Sequence, residues 1–541
     1  MKGRLLFLIA LFVLFAPRVF SQRQERVINS WRPLHYDVNL SFNDQLNEIT
    51  SARTEVSGVI LKDTETIDLD FGRMEIDSIT IGGRPAYFEW TPQEVLTISL
   101  AGIPSHAGAK FNIVIAYHGR PKDGLVFATD RDGRPSVTGD NWPNRVHQWI
   151  PCFDHPSAKA TVTFTVAAPL RDLVVANGKF FSMNANEPGQ HVWQFQESKP
   201  IPAYCMVIAV NEGAKLDVDP NPITPLSFYV PQKDRGYAPK GFAPGAPALA
   251  FFSETIAPYP YEKLALIVGA TRFGGMENSS AIVFASGLFD LRQNEKLSAH
   301  FGIPARIESV VAHEIAHQWF GDSVTESTWA DLWLSEGFAT YFAGLFIEKY
   351  DGEDAFRDYL RNAAEKYLAY EKRRSAPIRD TETPDLMKLL NENNYEKGAW
   401  VLHMLRMRLG DEKFFRGLRG YYNAHHEATA TTEDLRDALE KASGQNLHQF
   451  FARWVFGIGH PIYDLSWSYA RGRLLVTLKQ TQASGVFLDP VPIKIMSGAV
   501  SKQAVIQPRD KLTTMSVAIN ATPTSIQIDP DGTLLKEVVK R

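Results

Sequence analysis

Hydrophobic and polar positions change period twice along this chain. From Tyr36 to about Pro225, short runs alternate apolar and polar residues. Examples are Tyr36–Phe42 (YDVNLSF), Phe111–Gly119 (FNIVIAYHG) and Ala160–Ala168 (ATVTFTVAA), with turn residues between the runs. Period two puts every second side chain on one face, so this Val-, Thr-, Ile- and Phe-rich alternation predicts a β-sheet domain. From about Phe242 to Gly457 the period becomes helical, most clearly in Phe356–Arg373 and Gly398–Leu409. Alternation returns from Tyr463 to Gln482, where Ala470, Arg471 and Gly472 suit a hairpin turn, and it persists to the end. That tail of about 80 residues is enough for a small β-sandwich. The expectation is a multidomain α+β protein: a β domain over 22–228, a mainly helical domain over 229–460, and a C-terminal β-sandwich over 461–541.

Composition narrows the picture. The 541 residues are 44% hydrophobic, too apolar for disorder and ample for several cores. With 57 basic and 61 acidic residues, the net charge of −4 gives no general field for nucleic acid or an anionic membrane. Lys2 and Arg4 precede an apolar run from Leu5 to Ala16, and small Ser21 offers a cleavage point. This is the outline of a secretory signal peptide over residues 1–21. The run is roughly a dozen residues where a span needs about 20, so a membrane anchor is the weaker reading. The mature protein is expected to be soluble, without a stable membrane span, and either periplasmic or secreted. Export would put Cys152 and Cys205 in an oxidising compartment, where they either pair or stay as buried free thiols.

The helical region contains VVAHEIAHQWFGD, Val310 to Asp322. His313 and His317, four apart, project from one face of a helix and can grip one cation. Glu314 lies beside them, placed to take a proton from a metal-bound water. Ile307, Val311 and Ile315 supply the apolar face that buries such a helix. Catalytic zinc takes three protein ligands and keeps one position open. Glu336 offers the third, on the first turn of a helix expected to begin near Leu334, 19 residues after His317. A carboxylate there would otherwise simply serve the helix dipole.

His-Glu-x-x-His, eighteen residues, then Glu resembles the zinc site of the gluzincin aminopeptidases, the aminopeptidase N and leukotriene hydrolase family. Three further segments match that family in order. GGMEN, Gly274 to Asn278, resembles its Gly-x-Met-Glu-Asn exopeptidase motif. YEKGA, Tyr395 to Ala399, resembles the segment bearing its catalytic tyrosine. PCFDHPSAKAT, Pro151 to Thr161, resembles a marker of its N-terminal domain. The resemblance implies a saddle-like β domain, a thermolysin-like catalytic domain and a small β-sandwich. The chain ends soon after that sandwich, so the large helical C-terminal domain of longer relatives is expected to be absent.

The implied function is removal of N-terminal amino acids from peptides with a free N-terminus, using one Zn2+ held by His313, His317 and Glu336. Glu314 would be the general base and then the acid, and Tyr395 would donate to the oxyanion. Glu277 would hold the substrate α-amine. Gly274, Gly275, Met276 and Asn278 would lie along the substrate, Met276 in the first side-chain pocket. In one place the sequence departs from the family, which usually has a second amine contact nine to eleven residues before the Pro-Cys marker. Asp140, Asn141 and Trp142 stand near it here; Asp140 or Asn141 could serve, or Trp142 could wall the pocket. Asp331 is open as a brace for the zinc site or as a helix cap, and His425, His426 and Glu427 read as an exposed helix end. An endopeptidase would have no use for Glu277. An epoxide hydrolase would draw lipid contacts from the missing domain, and an inactive peptide binder would have lost Glu314 or Tyr395. Side-chain preference and oligomeric state are not encoded legibly.

Overall fold

The computed structural model describes residues 23–219, 224–291 and 295–540, so the expected signal peptide lies outside the described residues. Period two in the sequence becomes one-sided burial in the first strands. Tyr36, Val38, Leu40 and Phe42 of strand Trp31–Phe42 are buried, as are Ala160, Val162, Phe164 and Val166 of Lys159–Pro169. These two strands pair in parallel, Tyr36 opposite Val162, at the centre of an eight-stranded sheet. A three-stranded and a four-stranded sheet share its hydrophobic core. Cys152 and Cys205 are both buried and unpaired.

The next sheet has five strands, in the spatial order Gly213–Asp219, Leu226–Pro231, Leu264–Gly269, Ala281–Ala285, Gly275–Met276. The domain boundary expected at 228/229 therefore falls inside one of its strands. Alternation announces a strand but not the sheet that it joins, so residues 213–228 read as more of the first domain. The two-residue strand Gly275–Met276 forms the free edge, antiparallel to Ala281–Ala285.

Helices pack beside this sheet. The first central one, Ala305–His317, buries Ile307, Val311 and Ile315 as its spacing predicts. The next, Trp333–Asp351, is buried nearly all round, as befits a helix inside a large core. Then come Glu353–Glu371, Gly398–Leu409, Asp411–His425, Thr432–Ser443 and His448–Trp454. The chain closes with a four-stranded and a three-stranded sheet. Val476 and Leu478 of one, and Ile493, Ile495 and Ile506 of the other, are buried in a core continuous with that of the helices. Among the described residues no helix is long and apolar enough to cross a membrane.

Two features join the first domain to the helical one. A separate apolar cluster gathers Trp142, Val207 and Ala209 with Ile267, Met276, Val283 and Trp329. Lys159, in the Pro-Cys marker segment, donates to the carbonyls of Asp322 and Ser323 at 2.7 Å each, just beyond the His-Glu helix. Asp154 of the same segment accepts from the backbone N–H of His147 and lies 2.8 Å from its Nδ1.

Candidate active site

One turn of helix separates His313 from His317, and both imidazoles point the same way. Their Nε2 atoms lie 3.0 Å apart, and each is 3.3 Å from Glu336 Oε2. Ligands about 2.0–2.1 Å from one tetrahedral ion sit at nearly this mutual separation. Glu336 is 4% exposed, yet its Oε2 has no hydrogen-bond donor. A buried carboxylate oxygen without a donor is costly unless a cation meets it. Burial pushes Glu336 up, but His317 and His313 outweigh it and settle the carboxyl at about 2. Burial likewise pushes His317 down, and Glu336 overcomes it to reach about 10. The trio thus favours positive charge at its centre, and its two-nitrogen, one-oxygen donor set fits zinc. The Nδ1 of His317 lies 3.1 Å from both the Phe320 carbonyl and the Ser335 hydroxyl, contacts that fix the ring with Nε2 toward Glu336.

Glu314 sits on the same helix as both histidines, and its carboxylate forms a second cluster with Glu277 and His317. Burial, with Glu277 and Glu336 adding and His317 opposing, pushes it well above the usual carboxylate range. Glu277 follows the edge strand Gly275–Met276 and is raised to about 7, first by burial, with His317 opposing and Glu336 adding. The strand can come this close only because residue 275 is glycine. A Cβ there would lie 2.4 Å from Glu314 Cδ and Oε1.

Tyr395 arrives from the other side on a single π-helical turn, Asn393–Lys397, that leads into helix Gly398–Leu409. Such turns re-aim side chains, and here the Tyr395 ring stacks on His313 at 5.9 Å between centroids. Glycine meets glycine where this turn crosses the Glu336 helix: a Cβ on Gly398 would lie 2.9 Å from the Cα of Gly337. Burial and then Glu336 raise the Tyr395 phenol well above its ordinary value, so at neutral pH it is a hydrogen-bond donor.

His313, Glu314, His317, Glu336, Glu277, Tyr395, Gly274, Gly275 and Met276 all line one cavity of about 670 Å3. Asn278 does not; fully buried behind the strand, it donates to the Met276 carbonyl. Trp142, Phe273 and Leu390 complete the apolar wall beside Met276. Asp140 is fully buried and pairs with Arg145 at 3.0 Å, while the Asn141 amide bridges the Met206 carbonyl and the Trp149 indole. Neither Asp140 nor Asn141, the two expected to serve as a second amine contact, lines the cavity, whereas Trp142 walls it. Asp331 lies away from the histidines, accepting from Arg379 and Thr432. His425, His426 and Glu427 end a helix, and Glu427 pairs with Lys199.

Gln318 is a site residue that pattern reading passed over. Its Nε2 donates to the Glu277 carbonyl and to Asp322, both at 2.8 Å, and its Oε1 accepts from the Ser280 N–H. It therefore clasps the edge strand to the end of the His-Glu helix. Its position immediately after His317 was the available signal.

The architecture defines a class: a β-rich N-terminal domain joined to a helical domain whose His-Glu-x-x-His helix faces an edge strand carrying Met-Glu-Asn. The Peptidase M1 N-terminal domain model matches residues 32–205, and the Peptidase family M1 domain model matches residues 244–454. Together they cover more than half of the chain, and the chain belongs to peptidase family M1. It is 27% identical over 495 residues to the Tricorn protease-interacting factor F2 of Thermoplasma acidophilum, covering 88% of this chain and 60% of that one. It is 26% identical to the Probable aminopeptidase 1 of Saccharolobus solfataricus (85% and 58% covered). It is also 26% identical to the Glutamyl aminopeptidase of Sus scrofa (82% and 49%). The chain thus spans about half to three-fifths of the length of these relatives.

Proposed function

We propose that this protein is an exported zinc aminopeptidase that removes single residues from the free N-termini of peptides. The observation that carries this reading is the meeting of two kinds of charge at one cavity. His313, His317 and Glu336 form a trio fit for a dication, and the buried carboxylate of Glu277 stands beside it without a cation of its own. A substrate ammonium is the group that Glu277 is suited to hold, which fixes the first peptide bond next to the trio. An internal peptide segment offers no such cation.

When bound, zinc supplies positive charge that polarises the scissile carbonyl and acidifies water. Glu314 takes the proton from the attacking water and returns it to the departing amine, a double duty favoured by its raised affinity for a proton. Tyr395 donates its O–H to the oxygen that becomes negative. The edge strand Gly275–Met276 presents its unpaired side to the substrate as a neighbouring strand. Met276, Trp142, Phe273 and Leu390 receive the first side chain, which favours apolar residues.

In this reading the helical domain with its five-stranded sheet is thermolysin-like, the first domain is the saddle, and the paired terminal sheets are the sandwich. The basic and apolar residues before Ser21 would direct the chain to the periplasm or the medium. Hydrolysis of a dipeptide anilide and of its N-acetylated form, before and after chelation and zinc return, tests the proposal. The free-amine form alone should turn over, chelation should abolish it, and zinc should restore it. Equal turnover of the acetylated form would make the protein an endopeptidase.

A further inference from the structure

A second cavity, of about 620 Å3, opens off the first. The two share Ser309, Tyr359, Lys366 and Glu396 as common wall, so they adjoin, and Lys366 meets Glu396 at 3.1 Å on that wall. Together they follow the His-Glu helix from His313 back toward its start. At its far end stands Glu308, 1% exposed, with no hydrogen-bond partner on either carboxylate oxygen. The Asp351 carboxylate and the Ser298 hydroxyl are beside it, and among the described residues no cation is. Thr340, on the same wall, also has a buried hydroxyl without a partner. Asp351 accepts the His300 N–H at 2.7 Å. Of the cations that line the cavity, Lys296 pairs with Asp358, Lys366 with Glu396, and Arg306 is exposed; among the described residues none pairs with Glu308 or Asp351.

Two adjacent carboxyl groups that pair with no cation among the described residues, in a cavity that adjoins the catalytic one, suit a cation that arrives with the substrate. We propose that this cavity binds a basic side chain, Lys or Arg, of the peptide being trimmed, with Glu308 and Asp351 as its acceptors. The proposal rests on the aminopeptidase reading above and extends it from the first residue to those that follow. Five helical residues separate Glu308 from His313, about 7.5 Å along the axis. An extended peptide advances about 3.3 Å per residue, so the basic side chain belongs to the third or fourth residue from the N-terminus. The enzyme would then read two places at once, an apolar first residue and a basic one downstream.

The test uses pentapeptides that differ only at positions three and four, carrying Lys, norleucine, N-acetyl-lysine or Glu. Release of the first residue is followed on wild type, Glu308→Gln and Asp351→Asn. Lys at one of these positions should raise kcat/KM about tenfold or more over norleucine, the scale of a hydrogen bond to a charged group. Acetyl-lysine should behave like norleucine, Glu should be poorest, and either variant should bring the Lys-to-norleucine ratio toward unity. Equal rates for Lys and norleucine on wild type would overturn the inference and leave the aminopeptidase reading intact. A preference for Lys that survived both substitutions would overturn it as well. Absence of any release of the first residue would instead remove the reading beneath it. Should neither variant fold, the wild-type comparison of Lys with acetyl-lysine decides.

Discussion

Residue by residue, the site is a set of charges each suited to one task. Glu314 needs an oxygen that binds a proton and gives it up, so Glu314→Gln should retain zinc and lose about 10²–10⁴-fold in kcat. Metal analysis with steady-state kinetics checks this; a near-normal rate would contradict the role. Tyr395 remains a donor because burial and Glu336 hold its proton on. Tyr395→Phe should lower kcat by about 10²–10³-fold with little change in KM, since the lost bond forms where charge develops. A residue outside the site accounts for part of the Pro-Cys marker. Burial would push His147 down, but Asp154, with help from Asp70 and Glu94, raises it from 6.5 to about 9. A raised histidine contributes stability that is complete below about pH 6.5 and lost as pH rises through about 9, amounting to roughly 3 kcal/mol. Unfolding free energy measured from pH 6 to 9.5 should fall across that window in the wild type and much less in His147→Gln.

The elements differ in how plainly the sequence announces them. Helix Gly398–Leu409 is observed with the bounds its periodicity predicts, and the hairpin turns at Arg471 and Gly472 between strands Ile462–Ala470 and Arg473–Gln480. The helix carrying Glu336 begins at Trp333, one residue from its expected start. These were legible because each shows several periods of one pattern. The strand Gly275–Met276 has two residues and therefore no period, and only its motif marked it. The π-helical turn under Tyr395 has no sequence signature, and only the YEKGA motif marked the tyrosine. Gln318 escaped because its bonds run to Glu277 and Ser280, some forty residues away along the chain. The close approach of strand to helix gives the element-scale prediction. Gly275→Ala places a methyl 2.4 Å from Glu314, which must move it or the strand. A displacement of about 1 Å can cost 10²-fold in rate, so kcat/KM should fall on that scale. The melting temperature should change little, because a two-residue edge strand carries little of the core. A large loss of stability with normal kinetics would mean that the contact is not at the reacting groups.

Across the whole molecule, the helical domain gathers three buried carboxylates, Glu277, Glu314 and Glu336, around two histidines in a cavity that the first domain helps to wall with Trp142. In the proposed reading, a zinc dication and a substrate ammonium would bring the positive charge that lets these crowded carboxyl groups ionise together. The central claim is that Glu277 is the partner of that ammonium. The direct measurement is kcat/KM for a free-amine substrate and for its analogue lacking the α-amino group, each on wild type and on Glu277→Ala. Removing the carboxylate should cost the free-amine substrate about 2–5 kcal/mol of transition-state binding, whatever its side chain. It should cost the amine-free analogue almost nothing, leaving a coupling energy of nearly the whole loss. If the two changes were simply additive, Glu277 would not hold the amine and the account of an aminopeptidase site would be wrong.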